Sequence, residues 1–176
     1  MQLRPDIQLQ TAIRALTEVV APALNPDNGL ATEQLQLVIG MLHLMAARLP
    51  LQVRYDRDEL ARLFQFSQAL AAAVDHDAHA QVIATLRVAN SAGAEALASA
   101  TIKAAEILQA IRNLRTHTGA LITAVYRDGK DVERDRITSL ALAHADAQLL
   151  RERAWLAPMG WETEPVAMPA IADLLK

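Results

Sequence analysis

Residues 82–114 read VIATLRVANSAGAEALASATIKAAEILQAIRNL, and their pattern decides the fold class. Ala92, Ala96, Ala100 and Ala104 recur every four residues, and Ile107, Ile111 and Leu114 carry the rhythm onward. Steps of three and four place side chains on one face of an α-helix, whereas a half-buried strand would alternate. The stretch lies in a proline-free run from Leu51 to Ala157 dominated by Ala, Leu, Glu, Gln and Arg. Such a run favours long helices, because proline removes a backbone donor and clashes with the preceding turn. The alanine stripe carries so little bulk that another helix can pack at the short end of the interaxial range.

Upstream, Pro5 suits the first position of a helix whose apolar stripe is Leu9, Ile13, Leu16, Val20 and Leu24. Pro22 and Asn25-Pro26-Asp27-Asn28-Gly29 end it. A second helix is expected from about Leu30 to Leu49. Its positions Leu35, Val38, Leu42, Met45 and Leu49 are joined by Leu37, Met41 and Leu44. That is apolar well beyond one face, which predicts a central, largely buried helix. Over 50–55, Leu51, Val53 and Tyr55 alternate with Gln52 and Arg54, the pattern of a short extended linker. Asp56 stands three residues before Glu59, a capping-box spacing that would open a third helix.

Asp75-His76-Asp77-Ala78-His79 interrupts the apolar pattern, as either a helix break or a polar face. Asp128-Gly129 reads either as a hairpin turn or as the junction of two helices. The junction is preferred, with Gly129 left-handed, because residues 131–137 do not alternate. A last helix spans about Val132 to Leu156. The tail from Ala157 is broken by proline yet apolar, with Met159, Trp161, Val166, Met168, Ile171, Leu174 and Leu175, so it should dock rather than stay disordered. The expected architecture is all-α: a compact bundle of five to seven helices over 1–157, with a C-terminal docking tail over 158–176.

Composition narrows the function. The 176 residues carry a net charge of −3, and only 3% are aromatic, which argues against a nucleic-acid partner. The absence of cysteine removes thiolate metal sites and a cysteine nucleophile. Neither a secretory signal nor 18 consecutive apolar residues is present, so the expectation is a cytoplasmic chain with no membrane partner. The alanine and arginine bias is that of a GC-rich bacterial genome.

Catalytic signatures are sparse. Asp75, His76 and His79 form the densest set of potential metal ligands, with Asp77 beside them, and on a helix His76 and His79 would share a face. The plainer reading is a solvated junction whose aspartates cap a helix. No Glu-x-x-His pair of a di-iron bundle occurs. His43, within the most apolar helix, would contact a ligand together with Met41 and Met45, or bond a carbonyl at the edge of the core. Ser139, His144 and Asp146 share only residue types with a hydrolase triad and lack a nucleophile elbow. Arg112 and Arg115 lie near other basic residues, but Asp128, Asp131, Glu133 and Asp135 balance that charge. No phosphate-binding glycine loop exists, and no cofactor is implied.

Two features point to association: the stripe Ala92, Ala96, Ala100 and Ala104, and the tail with Trp161, Met168 and Leu175. Tryptophan and methionine are enriched in interfaces. The expected function is therefore a non-catalytic interaction module, a homo-oligomer serving a partner enzyme. The alternatives are a bundle pocket for a small apolar or acyl-type ligand and a metal-dependent enzyme built on Asp75–His79.

The opening from Arg4-Pro5-Asp6 to Val20-Ala21-Pro22-Ala23-Leu24, with Ala46-Ala47-Arg48-Leu49 closing the next helix, resembles a family of small helical bacterial proteins. Those proteins have no established activity. They are encoded beside aminoglycoside- or choline-kinase-like phosphotransferases and acyl-CoA dehydrogenases. The resemblance covers the first fifty residues, implies an accessory role, and carries over no functional residue.

Overall fold

A computed structural model describes residues 4–162 and 168–175. They form an all-α helical protein with no strand among the described residues. The chain divides into two units: Met1–Gln52 with Arg151–Leu174, and Val53–Leu150 with Leu175–Lys176. Val166, one of the tail's apolar residues, lies outside the described residues.

In the first unit, α1 (Pro5–Ala15) runs through a π-helical turn, Leu16–Val20, into α2 (Ala21–Ala23). Pro22 offers no N–H to the carbonyl one turn back, and the wider turn before it absorbs that mismatch. Asn28 caps α3 (Gly29–Arg48), its side-chain oxygen accepting from the Ala31 N–H at 3.1 Å. One side of α3 packs on α1 and another meets the 3₁₀ turn Ala157–Met159, where Gly40 lies against Met159. Arg48 fixes its C-terminal end by donating from Nε to Trp155 O and from Nη2 to Ala154 O, at 2.8 and 2.9 Å.

These neighbours cover only part of α3. Ile39 is the one buried residue of its twenty, so the expectation of a central, buried helix is corrected. The 50–55 linker is corrected too. A 3₁₀ turn, Leu49–Leu51, leads directly into α4 (Gln52–Ala72). Pro50 sits in a first turn, where its missing donor breaks no helical bond. Asp56 is consequently mid-helix and buried rather than a cap.

The second unit holds most of α4 together with α5 (Ala80–Ala98), α6 (Ala104–Asp128) and most of α7 (Asp131–Leu156). Leu60, Leu70, Leu86, Ile107, Leu114 and Leu121 are fully enclosed at its centre. Close packing of α5 on α6 runs along Ala89, Gly93 and Ala96, and a Cβ at Gly93 would lie 3.1 Å from Leu114 Cδ1. The short helix–helix approach is thus met inside the chain, by a row that shares only Ala96 with the four alanines.

That four-alanine stripe does not share one helix. Ser99 turns extended (φ −76, ψ 121), and its carbonyl and that of Leu97 accept from Arg57 at 3.1 and 2.6 Å. Glu106 then reaches back to the Lys103 N–H at 3.1 Å to open α6. Ala100 therefore falls in the turn, and Ala104 begins the next helix.

Residues 75–79 break the helix between α4 and α5. Residues 121–137 are two helices joined by a turn. Gly129 is extended (φ −78, ψ 164), not left-handed; glycine is required because a Cβ would lie 2.6 Å from Val125 O. In the tail, α8 (Ile171–Leu174) buries Ile171 within the first unit. Leu175 is buried, its carbonyl accepting from Arg54 Nη2.

Candidate functional site

One side of α3 carries a run of exposed apolar residues in the first unit. Leu37, Met41, Met45 and Leu49 follow one another at steps of four and form a ridge. Leu30, Gln34 and Val38 form the neighbouring row. Leu30 is 69% exposed, Met41 57% and Met45 54%, with Leu37, Val38 and Leu49 each above 40%. Such side chains leave on the order of 500 Å² of apolar surface in water, within the upper range of a monomer's largest patch. Glu33, four positions before Leu37, heads the ridge, and no charged residue stands in either row from Gln34 to Met45. Glu33 flanks the patch at the N-terminal end and Arg48 at the C-terminal end.

This geometry relocates Met41, His43 and Met45. Met41 and Met45 point to solvent, and His43 is exposed on another side of the helix. None of the three lines the principal cavities found among the described residues. Of the association candidates, Ala92, Ala100 and Ala104 are exposed and Ala96 is buried against α6. Trp161 is 66% exposed, Met168 is half-buried and Leu175 is enclosed by its own chain. Gly29–Ala72, which contains the patch, is the one helical span among the described residues long and apolar enough to cross a membrane.

The Asp75–His79 turn assembles a different device from a metal centre. Glu133 is buried, one carboxylate oxygen accepting from the Asp75 N–H at 2.6 Å and the other from the Lys130 N–H at 2.8 Å. These two backbone donors hold the Glu133 carboxyl below the ordinary carboxylate range, helped by nearby His79 and Lys130. The Asp75 carboxylate accepts from the Asp77 and Ala78 N–H groups and pairs with Lys130 Nζ at 3.4 Å, which lowers its pKa as well. His76 Nε2 lies 2.9 Å from Ala71 O, and Arg87 Nη2 lies 3.1 Å from His76 Nδ1. Both imidazole nitrogens of His76 are thus engaged in protein contacts. His79 is buried. No three His, Asp or Glu side chains gather as a metal-binding group among the described residues.

Two of the open grooves among the described residues of the second unit bear on function. One, of about 300 Å³ between α4 and α7, is walled by Leu140, Ala143 and Ala147 and edged by Arg62 and Gln65. Phe66 and His144 stack within it, ring centroids 4.2 Å apart and 4° from parallel. Arg62 is positioned there by its bond to the buried Asp58 at 2.8 Å. The other groove, about 390 Å³ between α5 and α6, has Ala92, Ala96 and Ala110 in its walls with Glu95 and Glu106 at its edge. Sequence reading missed the Phe66–His144 pair because 78 positions separate the two rings and neither sits in a local motif. His144 stood out only beside Asp146. Comparison with known proteins adds no identity: no family model, no curated protein and no solved structure matches this chain.

Proposed function

We propose that this protein is a non-catalytic helical interaction module that self-associates through the exposed apolar side of α3. The observation that carries the reading is the exposed apolar row of Leu37, Val38, Met41 and Met45, with Leu30 exposed beyond Glu33. A stable interface needs about 800 Å² from each partner. The patch supplies the apolar centre of such a face, and the polar residues around it supply the rim. Methionines adapt their shape to a facing surface. The basic flank that an interfacial membrane helix uses is lacking, because only Arg48 stands at its border and its guanidinium is bonded to carbonyls. The accessory role implied by the N-terminal resemblance accords with this reading, with a partner enzyme as the further expected component.

Sedimentation equilibrium tests the proposal. Over roughly 1 µM to 1 mM, a range that spans ordinary weak self-association, the mass should rise from 19.2 kDa towards twice that value. A constant 19.2 kDa overturns it. So does flotation of the chain with zwitterionic lipid vesicles in place of dimer formation, which would assign the face to a lipid surface.

One observation favours a second reading, the binding of a small apolar or acyl-type ligand. The α4–α7 groove combines an apolar wall, a stacked ring pair and a positioned guanidinium, the mixture found in small-molecule sites. Native mass spectrometry of the purified chain should then show a retained adduct that Ala143→Trp abolishes. Bare wild-type chain at all conditions removes this reading.

A further inference from the structure

We infer that the α4–α7 groove takes a small amphipathic carboxylate, its acid group at the Arg57–Arg62 end of α4 and its apolar body on Phe66, Leu140 and Ala143; the inference rests on the small-ligand reading above. The groove extends beyond its apolar half. A second cavity of about 260 Å³, reaching Leu97 near the end of α5, adjoins it, and Arg62 and Gln65 line both. Both cavities belong to the second unit. On α4 they are lined by Arg57, Ala61, Arg62, Gln65, Phe66 and Ala69. Spacings of about one turn keep these positions on one face of the helix. Residues 57 and 69 are 12 positions apart, or about 18 Å at the helical rise.

That face changes character along its length. Arg57, Asp58 and Arg62 occupy its first part, whereas Phe66 and Ala69, with Leu140 and Ala143 from α7, form the remainder. The charges of the first part do not cancel. The buried Asp58 carboxylate accepts from Arg62 Nε at 2.8 Å and fixes that guanidinium. Arg57 donates to the carbonyls of Ser99 and Leu97, which are neutral groups. Two guanidinium groups and one carboxylate thus line the adjoining cavity, and its other described lining residues are neutral. The net positive charge lies on half-buried side chains, where Coulomb attraction exceeds that at a fully hydrated surface.

This lengthwise division selects the ligand. A cationic head would meet like charge. A carboxylate matches the single surplus charge, and its two oxygens suit a guanidinium edge. A head of higher charge would leave part of that charge uncompensated in a half-buried site. Further along, the stacked Phe66 and His144 rings, 4° from parallel, make a flat wall opposite no bulky side chain of α7, where Ala143 and Ala147 leave depth for a chain or ring. Cavities of about 300 and 260 Å³ that share a wall together fall in the range of small-molecule sites.

The experiment titrates octanoate, octanol and octylammonium into the isotope-labelled chain and follows backbone amide shifts. Octanoate should shift Arg62, Gln65, Phe66 and His144, and bind roughly tenfold more tightly than octanol, the effect of one charge-assisted hydrogen bond. Octylammonium should bind most weakly. Gln65 is exposed where the two cavities meet, so changing its charge should spare the fold. Gln65→Glu should weaken octanoate about tenfold and leave octanol unchanged, while Gln65→Lys should tighten octanoate. Equal affinity of octanoate and octanol at the groove overturns the inference and leaves the small-ligand reading standing. Indifference of octanoate to both Gln65 variants does the same. Shifts confined to α3 overturn it as well, because the probe then sits on the exposed apolar row. No shift with any probe removes the small-ligand reading and the inference with it.

Discussion

Helices α3 and α6 are of similar length and use their apolar residues in opposite ways. By count from the sequence, α3 carries nine large apolar residues in 20 positions and α6 eight in 25. Yet α6 buries eight residues, and α3 buries only Ile39. On α6 the apolar positions form one stripe, and α5 lies on it along Ala89, Gly93 and Ala96. On α3 they extend beyond the strips that α1 and the Ala157–Met159 turn cover. Apolar content measures how much surface a helix needs to hide; the neighbours decide how much it does hide. An apolar surplus on a helix with few neighbours is what the self-association proposed above would use.

The largest effect expected from this contrast is on stability. Leu114→Ala removes a fully enclosed side chain and should cost about 2–5 kcal/mol in a denaturant melt. Met41→Ala, on the exposed ridge, should change the stability of dilute protein by no more than about 0.5 kcal/mol. Comparable losses for the two would break the comparison. Glycines sharpen it further. Gly93→Leu forces bulk into a site where even a Cβ meets Leu114 at 3.1 Å, and should cost about 1–3 kcal/mol. At Gly40 the nearest atom to a Cβ is Met159 Cε at 3.7 Å, so Gly40→Ala should stabilise the chain by the helix-propensity gain, about 0.5–1 kcal/mol, and raise its thermal midpoint.

The smallest expected effect is on acid sensitivity. Glu133 and Asp75 both have depressed pKa values in the folded chain. Their contribution to stability is fully present above the ordinary carboxylate range near about 4. It is lost as pH falls through the depressed folded values, because the unfolded chain binds those protons more readily. Hydrogen exchange should therefore accelerate first at the α4–α5 turn and the start of α7, and Glu133→Gln should flatten that acid limb. Acceleration confined to α3 would contradict the assignment.

The helical class was legible because proline is missing from 51–157 and apolar residues recur at three and four. The 50–55 segment misled because alternation over six residues is too short to outweigh a proline placed in a first turn. The four-alanine stripe misled because periodicity continues through Ser99, while the backbone turns there and Arg57, 42 positions away, holds it. Asp75–His79 read in the sequence most plainly as a solvated junction with capping aspartates, with metal ligation as the alternative. In the fold, Glu133, from another helix, takes a backbone donor from that turn, and this long-range contact leaves no local trace. The exposed side of α3 was hidden in plain view. Its residues were all seen as apolar, and only the positions of α1 and the Ala157–Met159 turn show which of them stay uncovered. The boundaries between the two units fall at α4 and within α7 and carry no change of composition.

The most direct test of the central claim compares two double variants of α3 by sedimentation equilibrium. Leu37→Glu with Met41→Glu charges the exposed apolar ridge, and Gln36→Glu with His43→Glu adds two acids on the side that is already polar. The account predicts a 19.2 kDa species for the first pair of changes and a dimer for the second, with helicity unchanged in both. A dimer that survives Leu37→Glu with Met41→Glu would show that another face joins the copies, and would contradict the account.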